Sequence, residues 1–326
     1  MLKRPYYEWI YDLINMGLVN GIVFHYFRPY GDLRKPNRDV WIPLFLALII
    51  MFLVLMVTWY REKLNIRQQL QALFHSPRQA FHYLLISGSL VGFFIGLFVS
   101  LETTTPLNTS VLYTLIPLMG VIISKLWLNI STPWLKVSGF IIGSMGATGV
   151  LFSTQMHSLE EIQSFQWNQG DALYVGACVL LAFHVVSVQK WGRGNKPFSG
   201  AFMIMLFGTL WLLPITLIWG ELGDVRWEAT GFWINALYLT IFTTIFTFVL
   251  QQRLVHTVGA NRLLAFSYTI PVWVACYTAF SQSQLSSLLN TGFILGLACL
   301  VTSLYLIDRQ STTLNRSSTE KGDLAT

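Results

Sequence analysis

The chain of 326 residues is 54% hydrophobic and only 11% charged, with a mean hydropathy of +0.54. A soluble domain carries about 25% charged residues, so this chain lacks the polar side chains to coat itself in water. Its formal charge of +6 lies between the apolar stretches, which argues against a nucleic-acid partner and for a topology signal.

Crossing a hydrocarbon core of about 30 Å takes roughly 20 apolar residues per helix. Ten segments qualify, at about 9–27, 41–59, 80–101, 106–127, 133–153, 171–190, 198–219, 231–251, 260–280 and 289–307. Barrel strands would alternate apolar and polar residues, and stretches such as IPLFLALIIMFLVLMVTWY (42–60) do not. The expected fold is an all-α polytopic membrane protein with ten transmembrane helices.

The first segment follows MLKRPYYE and carries Asp12, Asn15, Asn20 and His25. It has no clean small-residue cleavage site and reads as a polar span rather than a signal peptide. The loop RPYGDLRKPNRD (28–39) follows. In REKLNIRQQLQALFHSPR (61–78), Leu64, Ile66, Leu70, Leu73 and Phe74 fall mostly on one helical face, the pattern of a helix lying on the cytoplasmic surface. The polar tail from 310 is expected to be disordered.

With ten spans and a cytoplasmic N-terminus, the inner connections hold 16 of the 21 Lys and Arg residues; Arg28, Arg34, Lys35, Arg38 and Arg226 lie outside. That bias sets the orientation and suits a multi-pass protein of a bacterial inner membrane with both termini cytoplasmic. Cys178, Cys276 and Cys299 fall within separate spans and form neither a disulfide framework nor a metal site. No cofactor or metal is expected, and no catalytic constellation is visible, so the chain is not read as an enzyme.

Two hexapeptides nearly repeat: SGFIIG at 138–143 and TGFILG at 291–296. Each follows a proline-bearing span, with YTLIP ending at Pro117 and YTIP ending at Pro271. An odd number of spans per half would make the second half enter the membrane from the opposite side, giving inverted repeats. The domains are then 1–153, with the amphipathic segment at 61–78, and 154–309, followed by the tail 310–326. Gly139 and Gly143, like Gly292 and Gly296, sit four apart on one face, where missing side chains let helices approach. Gly88, Gly92 and Gly96 form a third such stripe.

SLETTTPLNTSVLYTLIPLMGVIISKLWL followed by LKVSGFIIGSMGATGVLF, and LQQRLVHTVGANRLLAFSYTIPVWVACYTAF followed by LNTGFILGLACLV, resemble the drug/metabolite transporter superfamily, EamA-type. The resemblance implies ten helices in two inverted halves, a central cavity, and export or exchange of small metabolites. Many EamA-type sequences carry Gly-Glu at the end of the proline-bearing helix; here those places read KLWLNIST and AFSQSQLS.

Polar groups inside spans are costly and mark pathways or partners. His184, in VLLAFHVVSVQ, is the first candidate for substrate binding, since imidazole can bind a polar group or a proton near neutral pH. Asn15 and Asn20 would face it across a cavity if the first and sixth spans are counterparts. Tyr113, Tyr268, Trp273 and Gln251 complete the binding candidates. Glu102 is the proton-coupling candidate, since burial raises a carboxyl pKa toward neutrality; the alternative, at the end of its span before TTTP, is a capped or solvated helix end. Pro117 and Pro271 are expected as kinks in moving walls. The expected activity is secondary transport of a small polar or amphiphilic metabolite. Alternatives are a nucleotide-sugar or sugar-phosphate antiporter, or a scaffold or accessory subunit of an envelope complex. Partners would be a small-molecule substrate and the lipid bilayer; a homodimer stays open.

Overall fold

The structure, a computed structural model, describes residues 36–74, 76–155, 167–219, 228, 230–281 and 288–323. Among these residues it is helical and contains no strand. The helices are α1 (Pro36–Arg61), α2 (Ile66–Leu73), α3 (Pro77–Ser100), α4 (Pro106–Tyr113), α5 (Ile116–Leu128), α6 (Trp134–Gln155) and α7 (Gln169–Trp191). They continue with α8 (Pro197–Trp219), α9 (Thr230–Tyr238), α10 (Thr247–Val258), α11 (Ala260–Ala265), α12 (Ile270–Ser281) and α13 (Thr291–Asp323).

Among the described residues, eight stretches are long and apolar enough to cross a membrane: Leu44–Arg61, Pro77–Ser100, Asn108–Leu128, Trp134–Thr154, Gln169–Trp191, Pro197–Ile218, Phe232–Val258 and Thr291–Asp308. They coincide with eight of the ten expected segments, as befits a multi-pass helical membrane protein. Of the other two, 9–27 lies outside the described residues. The segment expected at 260–280 is helical but divided, with a 3₁₀ turn at Phe266–Thr269 between α11 and α12.

The two proline-bearing segments break in the same way. Pro117 is the second residue of α5 and Pro271 the second residue of α12. The sequence reading makes each proline a kink within one helix; the structure instead starts a new helix there. A proline in the first turn gives up an N–H that has no intrahelical acceptor anyway. Thr114, at the first break, hydrogen-bonds Val111 O at 2.7 Å and lies 3.1 Å from Ser144 Oγ on α6.

The span through Phe232–Val258 also changes character midway. Leu239–Phe246 (LTIFTTIF) is a π-helix, a rare wide turn that recurs at functional sites. Thr244 and Thr247 reach back five residues, to Leu239 O at 3.1 Å and Phe242 O at 3.2 Å.

The repeated hexapeptides lie on α6 and α13, which pack antiparallel. A Cβ added to Gly139 would sit 3.2 Å from Leu306 Cβ, and one on Gly292 would sit 2.9 Å from Ser153 Cβ. One on Gly143 would strike Ser303 Oγ, and one on Gly296 would lie 2.8 Å from Val150 Cγ2. Ser303 Oγ donates to Gly139 O at 2.7 Å. The glycines pack helices together, as the spacing suggests.

Two groups of buried side chains result. The larger joins α1, α3, α7, α8 and α10 around Met51, Tyr83, Ile86, Tyr174 and Ile204. The smaller lies between α6, α13 and the divided segment around Phe140, Tyr268 and Leu300.

α2 keeps the amphipathic character read from its sequence. Asn65 caps it, accepting from Arg67 N at 3.0 Å, and Ile66 and Leu73 turn toward the core. The terminal helix carries on to Asp323, through the stretch expected to be disordered. Residues 309–321 contain neither Pro nor Gly to stop it.

Candidate functional site

α3 and α7 run antiparallel along a close seam. A Cβ on Gly92 would lie 2.8 Å from Leu180 Cδ1, and one on Gly96 2.8 Å from Ala177 Cβ. Gly88 completes the stripe by seating the Trp211 indole of α8, whose Nε1 donates to Leu84 O at 3.0 Å. His184 is fully buried in this seam, and its Nδ1 lies 2.8 Å from Ile86 O. A carbonyl only accepts, so Nδ1 carries the proton and Nε2 presents a lone pair. Nε2 has no hydrogen-bond partner among the described residues. The Phe248 ring of α10 stands edge-on to the imidazole at 6.4 Å.

At the end of the bundle where α3 stops and α7 starts, the structure holds a buried acid that the sequence reading did not single out. Asp171 is fully buried. Its Oδ1 accepts from Thr104 Oγ1 and from Asn108 Nδ2, the latter at 3.2 Å. Its Oδ2 accepts from Asn108 Nδ2 at 3.1 Å and from Asn168 N at 2.9 Å. Asn168 Oδ1 in turn accepts from Asp171 N at 3.0 Å, a capping box with Asp in the usual Glu position. The carboxylate thereby ties the TTTPLN turn of residues 103–108 to α7. The sequence signal is the Asn168-x-x-Asp171 spacing before an apolar run.

Glu102, expected as the coupling acid, lies in the turn after α3 and is exposed. The burial on which that expectation rests is absent, because the helix ends at Ser100 and the turn leads the side chain outward. Tyr268 is buried, but its hydroxyl donates to Phe140 O at 2.8 Å and its ring covers Gly143. Its polar atom is spent on fastening the divided segment to α6. Tyr113 is half-buried at the end of α4 and packs against the larger core. Trp273 is half-buried on α12, and Gln251 is buried on α10. Asn15 and Asn20 lie outside the described residues. The structure therefore brings His184 toward α10, which carries Gln251, and leaves Tyr268 in the smaller group of buried side chains.

Polar contacts at the opposite end of the bundle involve the basic residues. Lys190 Nζ donates to Trp127 O at 2.8 Å and sits 4.0 Å above the Trp127 ring. His82 stacks on Trp191 at 4.4 Å. Arg262 pairs with Asp308 at 3.0 Å.

Residues 168–308 match the model of the EamA-like transporter family. That stretch is similar to EamA-like transporters. It takes in α7, with His184 and Asp171, and runs through the second glycine-bearing helix. The chain is also 21% identical over 261 residues to the uncharacterized transporter YyaM of Bacillus subtilis (strain 168), spanning 80% of this chain and 81% of that protein. A solved crystal structure shares the fold, with a TM-score of 0.70 at 13% identity, over 93% of this chain and 97% of its own. The family match and the Bacillus relative agree with the drug/metabolite superfamily and with membrane transport.

Proposed function

We propose that the chain is a secondary transporter that carries a small polar or amphiphilic metabolite across the membrane by alternating access, as an exporter or exchanger. One observation carries the reading. Residues of α6 and α13 related by a shift of 153 touch each other reciprocally. Gly143 meets Ser303, while Gly296, the counterpart of Gly143, meets Val150, the counterpart of Ser303. Gly139 meets Leu306, while Gly292 meets Ser153. Reciprocal contact is the mark of a two-fold relation, and antiparallel counterparts suit halves of opposite orientation, the architecture on which rocking transporters are built.

The substrate in this reading approaches the buried polar groups of the EamA-like stretch, with His184 as the chief binding residue and Gln251 near it. The basic ends of α3, α5 and α7 gather on one side, which supports a cytoplasmic assignment for that side in a bacterial inner membrane. The nucleotide-sugar or sugar-phosphate alternative lacks support, because among the described residues no pair of Lys or Arg lies within a span interior for phosphate.

The test is flux into proteoliposomes of the purified chain across a panel of amino acids, polyamines, sugar phosphates, nucleotides and amphiphilic cations. Counterflow of at least one class, lowered on His184→Ala, is the expected result. Silence across the whole panel would turn the reading toward a non-transporting scaffold.

A further inference from the structure

Where α3, α7, α8 and α10 converge, several polar side chains are buried with hydrogen-bonding capacity that the protein does not use. His184 Nε2, Ser187 Oγ and Gln252 Nε2 have no partner among the described residues, and none of the three side chains is more than 1% exposed. Deep in an apolar bundle each such atom is expensive. Three in one place call for a ligand that pairs them.

The helix registers put them together. α3 and α7 run antiparallel with Ile86 facing His184, so Tyr83 lies one turn along, at the level of Ser187. α7 and α10 run parallel: His184 meets Phe248, and eight residues later Gly192 meets His256. Ser187 and Val188 are therefore level with Gln251 and Gln252. On α8, a Cβ at Gly200 would lie 2.8 Å from Gln252 Oε1 and 3.4 Å from Tyr83 Oη. The missing side chain makes room for the amide and the phenol at that level.

The donor and acceptor inventory defines the ligand. His184 Nε2 offers a lone pair, Gln252 Nε2 offers hydrogens, and Ser187 can do either. No charged side chain belongs to the set. The complementary group is neutral and both donates and accepts, which describes a hydroxyl. A polar route leads inward to it: Gln79 Nε2 donates to Asn195 Oδ1 at 3.4 Å, and Asn195 Nδ2 donates to Tyr83 Oη at 2.8 Å. Gln79 and Asn195 are half-buried at the start of α3 and in the turn after α7.

We propose that this seam is a binding site for neutral hydroxyl groups, filled either by water or by the hydroxyl end of a small solute. Only the solute case rests on the transporter reading.

The first test is the melting temperature of the full chain in detergent with Ser187→Ala. If the hydroxyl is paired with a bound ligand, its loss lowers the melting temperature by about 2–4 °C. If it is a dry orphan, removing it relieves the unpaired group and the melting temperature rises; a rise, or no change, overturns the proposal. The second test keeps the question open to attack should that variant fold poorly. With Cys178, Cys276 and Cys299 replaced by alanine, Ser187→Cys should react with methanethiosulfonate ethylammonium at least tenfold faster than Val186→Cys, its fully buried neighbour. Equal rates overturn the proposal.

Adding meso-erythritol against equiosmolal glycine betaine separates the sources. Slower labelling with erythritol assigns the solute hydroxyl, and an unchanged rate assigns water. None of these readouts involves flux. A dry seam therefore leaves the transporter reading standing, and a silent flux panel leaves the seam standing.

Discussion

Gly146 of α6 lies against Cys299 of α13, its counterpart at the 153-residue shift, and a Cβ on the glycine would stand 2.8 Å from the cysteine Cβ. A residue that touches its own counterpart marks where a two-fold axis passes. The pairs of Gly143 with Ser303 and Gly296 with Val150 then fall on either side of it. Bulk added on either helix near this point should do similar harm.

Gly143→Val and Gly296→Val are expected to destabilise the chain comparably, each by about 1–3 kcal/mol or more, the usual range for overpacking. The added atoms would meet Tyr268 and Ser303 in the first case. In the second they would meet the backbone of Gly146 and Val150 at 2.9–3.0 Å, where a side chain cannot swing aside. Gly176→Ala is the control: nothing lies within 4 Å of its Cβ position, so the change should stabilise α7 by up to about 1 kcal/mol. Melting curves in detergent check all three.

Asp171→Asn should cost about 1–3 kcal/mol. The carboxylate oxygens only accept, and they are met by the Thr104 hydroxyl, the Asn108 amide and Asn168 N. An asparagine would turn an NH₂ group toward at least one of these donors. Glu102→Gln, on an exposed side chain, should stay within about 0.5 kcal/mol. A thermal-shift comparison of the two variants decides which acid the fold depends on; equal effects would count against the assignment.

The contrast between these two acids shows how much the sequence could reveal. Eight spans were legible because a run of about 20 apolar residues has few other uses, and the glycine stripes were legible because small residues four apart have one common purpose in lipid. Glu102 drew attention by its place in the run, yet two residues beyond a helix end a side chain can turn outward, and composition does not say which way. Asp171 was hidden because Asn-x-x-Asp before an apolar run is an ordinary helix start; its burial comes from a turn more than 60 residues upstream. His184 was visible, but its partner is a backbone carbonyl of Ile86, which no side-chain pattern announces. A proline within an apolar run looks the same whether it bends a helix or begins one, so the divided segments escaped notice. The π turn at Leu239–Phe246 was not legible either, because its apolar residues recur as they would in an ordinary helix.

Tyr268→Phe separates packing from binding at the repeated YT-Pro motif. The hydroxyl donates to Phe140 O, so the variant should lose about 0.5–1.5 kcal/mol while any transport rate measured below its melting temperature stays unchanged. A drop in flux without a drop in stability would return Tyr268 to the substrate path. Tyr113 is half-buried beside the first break, and Tyr113→Phe offers the matched comparison.

The two ends of α7 offer the test of orientation. Arg193 is exposed just beyond its C-terminus, and Trp167 is 59% exposed just before its N-terminus. A helix of 23 residues rises about 35 Å, enough to place these positions on opposite faces of a bilayer. In a chain with its native cysteines replaced, Trp167→Cys should react with a membrane-impermeant maleimide in intact cells. Arg193→Cys should react only in inverted vesicles, because Lys190, Arg193 and Lys196 cluster on the side that the positive-inside rule makes cytoplasmic. The reverse pattern would invert the whole assignment, since α7 is antiparallel to α3 and parallel to α10. Labelling of both from one side would instead mean that α7 does not span.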